Sequence, residues 1–175
     1  GAAAPPERKP GADMLAALSI RDIVLIERLD LEFGRGLTVL TGETGAGKSI
    51  LLDALSLALG ARGDAALVRQ GSTDGQVTAI FDLALDHPAA ALLAENGILF
   101  EGQMILRRIQ GGDGRSRAFV NDQPVGVQLL RQLAVLRCQV ERCDLRLPEH
   151  IGKAAGDRRA QQLRDLVALE DAVGA

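Results

Sequence analysis

The 175-residue sequence has no tryptophan, no tyrosine and only four phenylalanines. Proteins that grip single-stranded nucleic acid by stacking need aromatic platforms, so any contact with DNA here must run through arginine and backbone groups. Cysteine is almost as scarce. Cys138 and Cys143 are too few for a disulfide scaffold and lack the second pair that a zinc site requires, so both read as reduced bystanders. No stretch approaches the ~20 apolar residues of a membrane span, and the N-terminal residues contain no apolar signal core; the expectation is a cytoplasmic protein with no membrane partner. Charge of one sign is also lacking. A formal net charge of -3 excludes coating of nucleic acid by bulk positive charge. What remains, 47% hydrophobic and 25% charged residues, is the composition of an ordinary globular chain, with one domain as the prior.

Residues 1–13 hold Pro5, Pro6 and Pro10 among small and charged residues and read as a disordered tail. Met14 is where alternation begins. Leu15–Ile20 and Ile26–Phe33 are strand-like, with Arg21-Asp22 read as the break between them, giving an antiparallel N-terminal strand pair. Leu37–Leu40 is a β-prone apolar run of the kind found in strands buried on both faces. Lys48–Leu59 reads as a helix ended by Gly60. A strand at Val77–Leu85 and a helix at His87–Glu95 follow, with Pro88 in the helix's first turn. Met104–Ile109 and Arg117–Asn121 flank Gln110–Gly114 as a hairpin. Val125–Leu136 has helical spacing, and Asp157–Val173 shows a modest amphipathic pattern.

Between the Leu37–Leu40 run and the first helix stands Gly42-Glu43-Thr44-Gly45-Ala46-Gly47-Lys48-Ser49, which satisfies the G-x-x-x-x-G-K-[ST] spacing. Its glycines let the backbone wrap closely around anionic oxygens. Successive amides then form a nest for phosphate at a helix N-terminus, where the helix dipole adds positive potential. Lys48 supplies a mobile positive charge for the β- and γ-phosphates, and the Ser49 hydroxyl is a candidate ligand for Mg²⁺. The motif predicts a purine nucleoside triphosphate, ATP, with Mg²⁺ as cofactors. It specifies binding and not what hydrolysis drives.

Other candidates are weaker. Asp82 ends the apolar run Ala79-Ile80-Phe81 and is the one local acid that could hold the metal, against the reading of a solvent-facing strand residue. Arg107, Arg108, Arg115 and Arg117 surround the glycine-rich hairpin; they could meet phosphates of DNA or ATP, or simply solvate a hairpin tip. His87 and His150 stand apart from any nucleophile pattern and read as structural. No catalytic residue is assigned.

Taken together, Met14 to Ile20, Leu37 to Ile50 with its Thr-Gly-Glu-Thr-Gly-Ala-Gly-Lys-Ser wording, Leu59-Gly60-Ala61-Arg62, Val68-Arg69-Gln70-Gly71, Leu106-Arg107-Arg108 and Gly114 to Asn121 resemble the N-terminal head segment of the RecN family of bacterial DNA repair proteins. RecN is similar to the SMC and ABC-type ATPases. The resemblance implies an α/β P-loop NTPase half-head with a mixed sheet, the N-terminal lobe spanning residues 14–133. It further implies a coiled coil, a C-terminal lobe carrying the signature motif and metal-binding acids, and two heads that sandwich ATP. The partners so implied are that C-terminal lobe or a second head in a homodimer, with DNA for the full-length protein, in recombinational repair of double-strand breaks.

The sequence departs from the family where a His-Gly-Gln-His stretch is usual. Arg137-Cys138-Gln139-Val140-Glu141-Arg142 stands there instead, and residues 134–175 read as a divergent, frameshifted or truncated segment. ATP binding without efficient turnover is therefore expected of this chain. The alternative is a non-catalytic nucleotide-binding interaction module. A small P-loop kinase or GTPase would need an arginine lid or an Asn-Lys-x-Asp motif, and the sequence has neither.

Overall fold

The computed structural model describes residues 13–33 and 45–140. Six strands form one sheet in the order β2-β1-β3-β4-β5-β6, from β1 (Met14–Ile23), β2 (Ile26–Glu32), β3 (Asp74–Asp82), β4 (Gln103–Gly111), β5 (Ser116–Val120) and β6 (Gln123–Val125). Every pairing among these described strands is antiparallel. The Leu37–Leu40 run, which would add the parallel element of a mixed sheet, lies outside the described residues. Among the described residues the α/β fold is completed by three α-helices, α1 (Gly45–Ala58), α2 (Pro88–Glu95) and α3 (Val127–Val140), and a 3-10 turn at Ala65–Leu67.

Period-two patterning decides which side of the sheet is covered. Along β3, Val77, Ala79 and Phe81 are buried while Gln76, Thr78 and Ile80 are only half-buried. On β4, Met104 and Leu106 are fully buried. These residues meet Ala54, Leu57 and Ala58 of α1, Ala89 and Leu93 of α2, and Leu129, Leu130 and Leu133 of α3 in one apolar core. The opposite face carries cross-strand rows such as Ser19, Thr78, Arg107 and Phe119.

The strand pair forms as expected, but the break moves. Arg21-Asp22 continues β1, and the chain reverses at Val24-Leu25. The reason is that both polar groups find partners on neighbouring segments without leaving the strand. Arg21 forks onto the Asp30 carboxylate at 2.8 and 3.0 Å. The Asp22 carboxylate takes the Ser72 hydroxyl at 2.9 Å, and its carbonyl takes the Arg69 amide. With its polar groups partnered, the pair stays in β1 even though Asp22 takes a positive φ of 50°.

Two further boundaries shift. Asn121 and Asp122 both have positive φ, 46° and 65°, as the central residues of a type I′ hairpin must. That turn sends Gln123–Val125 back along β5, so Val125 belongs to a short strand and the helix begins at Val127. Asn121 holds the turn down: its Oδ1 accepts from the Ile105 amide, and its Nδ2 donates to Leu99 and Gln103 carbonyls. β3 runs from Asp74 to Asp82, three residues earlier at each end than the expected Val77–Leu85. Asp13, the last residue of the proline-rich stretch, accepts the Ala84 amide at 2.7 Å.

Candidate nucleotide site and comparison with known proteins

The helix after the phosphate-loop motif starts inside the motif itself. α1 opens at Gly45, three residues earlier than its apolar pattern indicates, so Gly45, Ala46, Gly47 and Lys48 form its first turn. The first amides of any helix have no partner within it, and this first turn contains no acidic side chain to repel an anion. Ser49 follows directly and is exposed. Gly42, Glu43 and Thr44 lie outside the described residues. The described part therefore fits a polyphosphate: a helix N-terminus, no acidic side chain in its first turn, and the Ser49 hydroxyl, of a kind suited to a hard cation.

Asp82 ends β3. Its Oδ1 accepts from Gln103 Nε2 at 3.2 Å on the half-buried face of the sheet, and no group of three or more metal-ligating side chains occurs among the described residues. His87 is structural. It caps α2, its Nδ1 accepting from the Ala89 amide at 3.0 Å. His150 and Cys143 lie outside the described residues.

The arginine cluster comes apart in the structure, because adjacent strand residues point to opposite faces. Arg107 lies over the Phe119 ring, 4.4 Å from its centroid, and reaches Asp122 at 3.3 Å. Arg108 turns to the core side, where only 3% of it is exposed, and donates from Nε to the Ser116 hydroxyl. Burial pushes its pKa below the usual guanidinium value, and repulsion from Arg131 adds to this. Arg115 and Arg117 remain exposed at the hairpin tip.

Sequence reasoning missed the polar groups around the far end of α1. Gln110 is completely buried, its Nε2 donating to the carbonyls of Gly111 and Arg115 at 3.0 and 3.2 Å. Gly63 packs so closely on it that a Cβ would stand 2.0 Å from Gln110 Oε1. Arg131 of α3 donates from Nε to the Gly60 carbonyl at 2.8 Å. At the other edge of the sheet, Asp30 is held at a pKa of about 2 by hydrogen bonds from Ser19, Arg21 and Arg28. Only the Asn-Asp turn had a local sequence signal.

The profile of the AAA domain family matches residues 17–117. The chain belongs to the AAA domain family. This AAA chain is 46% identical over 127 residues to the DNA repair protein RecN of Vibrio cholerae, covering 73% of this chain and 23% of that protein. To RecN of Bacillus subtilis it is 45% identical over 124 residues, 70% of this chain and 22% of that one. It thus spans less than a quarter of the length of these relatives. Among solved structures, one from the structural biochemistry of ATP-driven dimerization and DNA-stimulated activation of SMC ATPases superposes with a TM-score of 0.61 at 19% identity, covering 87% of this chain and 98% of that one. That likeness shows a fold shared with SMC proteins, and the RecN resemblance read from the motifs holds. Among the described residues, no helix is long and apolar enough to cross a membrane.

Proposed function

We propose that this chain is the ATP-binding N-terminal segment of a RecN-like ATPase head that serves recombinational repair of DNA double-strand breaks. The observation that carries the reading is the start of α1 at Gly45, within the motif Gly42-Glu43-Thr44-Gly45-Ala46-Gly47-Lys48-Ser49. That helix start turns unpartnered amides toward the position a triphosphate would take. Lys48 would neutralise the β- and γ-phosphates, and Ser49 would ligate Mg²⁺. The metal would supply charge neutralisation between those phosphates.

The similarity to RecN supports the repair context. The related SMC fold, whose solved relative is described as dimerizing with ATP and being activated by DNA, supports a second head or C-terminal lobe as partner and DNA as the ligand of the full-length protein. Arg115 and Arg117 are the exposed cations of the hairpin that could meet a phosphodiester backbone. Turnover by this segment alone should be inefficient, since among its described residues no acid cluster holds a metal.

The test is equilibrium titration with a fluorescent ATP analogue and Mg²⁺. Binding that Lys48→Ala weakens by at least about tenfold supports the reading; an affinity indifferent to Lys48→Ala refutes it. Hydrolysis restored by adding a RecN C-terminal lobe in trans identifies a half-enzyme, and persistent inactivity with binding intact identifies a non-catalytic module.

A further inference from the structure

If α1 presents the phosphate-binding amides, whatever fixes α1 in space also fixes their aim. The C-terminal end of the helix is closed by two bonds, Ala61 amide to Ser56 carbonyl at 2.9 Å and Gly60 amide to Leu57 carbonyl at 3.2 Å, the double pattern of a Schellman cap. Gly60 has φ +96°, and a Cβ on it would stand 2.8 Å from Arg131 Cγ and 3.1 Å from the Arg131 amide. Helix α3 therefore rests directly on the cap.

From that contact Arg131 donates to the Gly60 carbonyl. The last turn of α1 has no basic residue of its own, although a cation there would offset the negative end of the helix dipole. Arg131 supplies it from 71 positions away in sequence. Arg108 stands close by, buried, with NH1 lacking any hydrogen-bond partner. Among the described residues, neither arginine takes part in an ion pair. Among the described residues no carboxylate stands between Arg131 and the helix end, so its contact is with the helix end itself.

We propose that Arg131 is a positioning residue for the phosphate loop, holding α1 from its C-terminal end so that the amides at its N-terminal end keep their aim. The proposal rests on the reading of residues 42–49 as the triphosphate site. A 14-residue helix is a rod about 21 Å long. α1 is gripped in its second half by the buried Ala54, Leu57 and Ala58. Releasing its C-terminal end lets the rod tilt about that grip, and the far end then swings the opposite way. Small displacements of this kind are enough to weaken binding built on aligned donors.

Arg131 is exposed, so replacing it should leave the fold intact. The experiment measures binding of ATP and of inorganic tripolyphosphate, each with Mg²⁺, by calorimetry on the full chain and its Arg131→Gln, Arg131→Lys and Lys48→Ala variants. Hydrogen exchange at amides 50–56, which are bonded within α1, is followed in parallel. Arg131→Gln should weaken both ligands about fivefold, speed exchange at amides 50–56 of α1 and leave exchange in β3 and β4 unchanged, while Arg131→Lys restores binding to within about twofold. Wild-type affinity in Arg131→Gln, or faster exchange spread evenly over β3 and β4, overturns the proposal. If the wild type binds neither ligand, the phosphate-loop reading falls and the positioning role falls with it. If Lys48→Ala abolishes binding and Arg131→Gln changes nothing, only the positioning role falls.

Discussion

Gly63→Ala puts the smallest possible side chain against the most completely buried polar group of the sheet. The new Cβ would lie 2.0 Å from Gln110 Oε1 and 3.1 Å from Gln110 Cδ, and the amide cannot retreat without giving up its bonds to the Gly111 and Arg115 carbonyls. Two such bonds are worth about 1 kcal/mol each, and an amide stranded in the interior costs about 1–3 kcal/mol more. Replacing glycine also removes freedom from the unfolded chain, which returns about 0.4–1 kcal/mol. The net expectation is a loss of about 2–4.5 kcal/mol, or a fall in Tm on the order of 10 °C for a domain of this size. Urea unfolding of the four members of a double-mutant cycle with Gln110→Ala makes the cause specific. If the clash is with the Gln110 amide, the double variant should be scarcely less stable than Gln110→Ala alone, a coupling of about 2 kcal/mol. A Gly63→Ala protein within about 0.5 kcal/mol of wild type, or strictly additive losses, would refute the reasoning.

Three other outcomes follow from the same geometry. Phe81→Ala, at a site with no exposed surface, should cost about 3–5 kcal/mol in chemical unfolding. Asn121→Ala removes one accepted and two donated hydrogen bonds and puts a side chain with a Cβ but no polar group at φ 46°; a loss of about 2–4 kcal/mol should appear as an earlier urea midpoint. Asp30 should titrate near pH 2 by NMR, and Ser19→Ala or Arg21→Ala should raise its midpoint toward 3.8. Because its folded pKa is depressed, the stability it contributes is complete above about pH 3.8 and disappears as pH falls through about 2.

Much of this fold is legible because a sheet covered on one side writes its alternation into the sequence. Val77, Ala79 and Phe81 against Gln76, Thr78 and Ile80 mark β3 without any knowledge of its partners. The same rule, applied to Arg107 and Arg108 as neighbours, would have separated them onto opposite faces. β6 escaped notice because it has three residues, one of them Pro124 at the sheet edge. The break after β1 was misplaced because Arg21 and Asp22 look like turn residues until Asp30, Ser72 and Arg69 are known to satisfy them. The site divides in the same way. The phosphate loop announces itself through local glycine spacing, whereas the contacts of Arg131 with Gly60 and of Gln110 with Gly63 join distant segments, and no local pattern encodes them.

The pairing of β1 with β3 also bears on how the chain reaches this state. Met14 faces Asp82 and Arg21 faces Gln76, so β2, the glycine-rich motif and all of α1 lie inside a loop that this pairing closes. Such non-local closure is slow, because the entropy of the loop is lost before the strands reward it. On the ribosome, β1 and β2 can meet as a hairpin at once, but the second edge of β1 must wait until Asp82 has emerged. A chain interrupted before β3 would expose that edge with its unpaired amides and carbonyls, a template for association with other chains. The helix that carries the proposed nucleotide site is thus secured late, by a strand that contributes nothing to the motif itself.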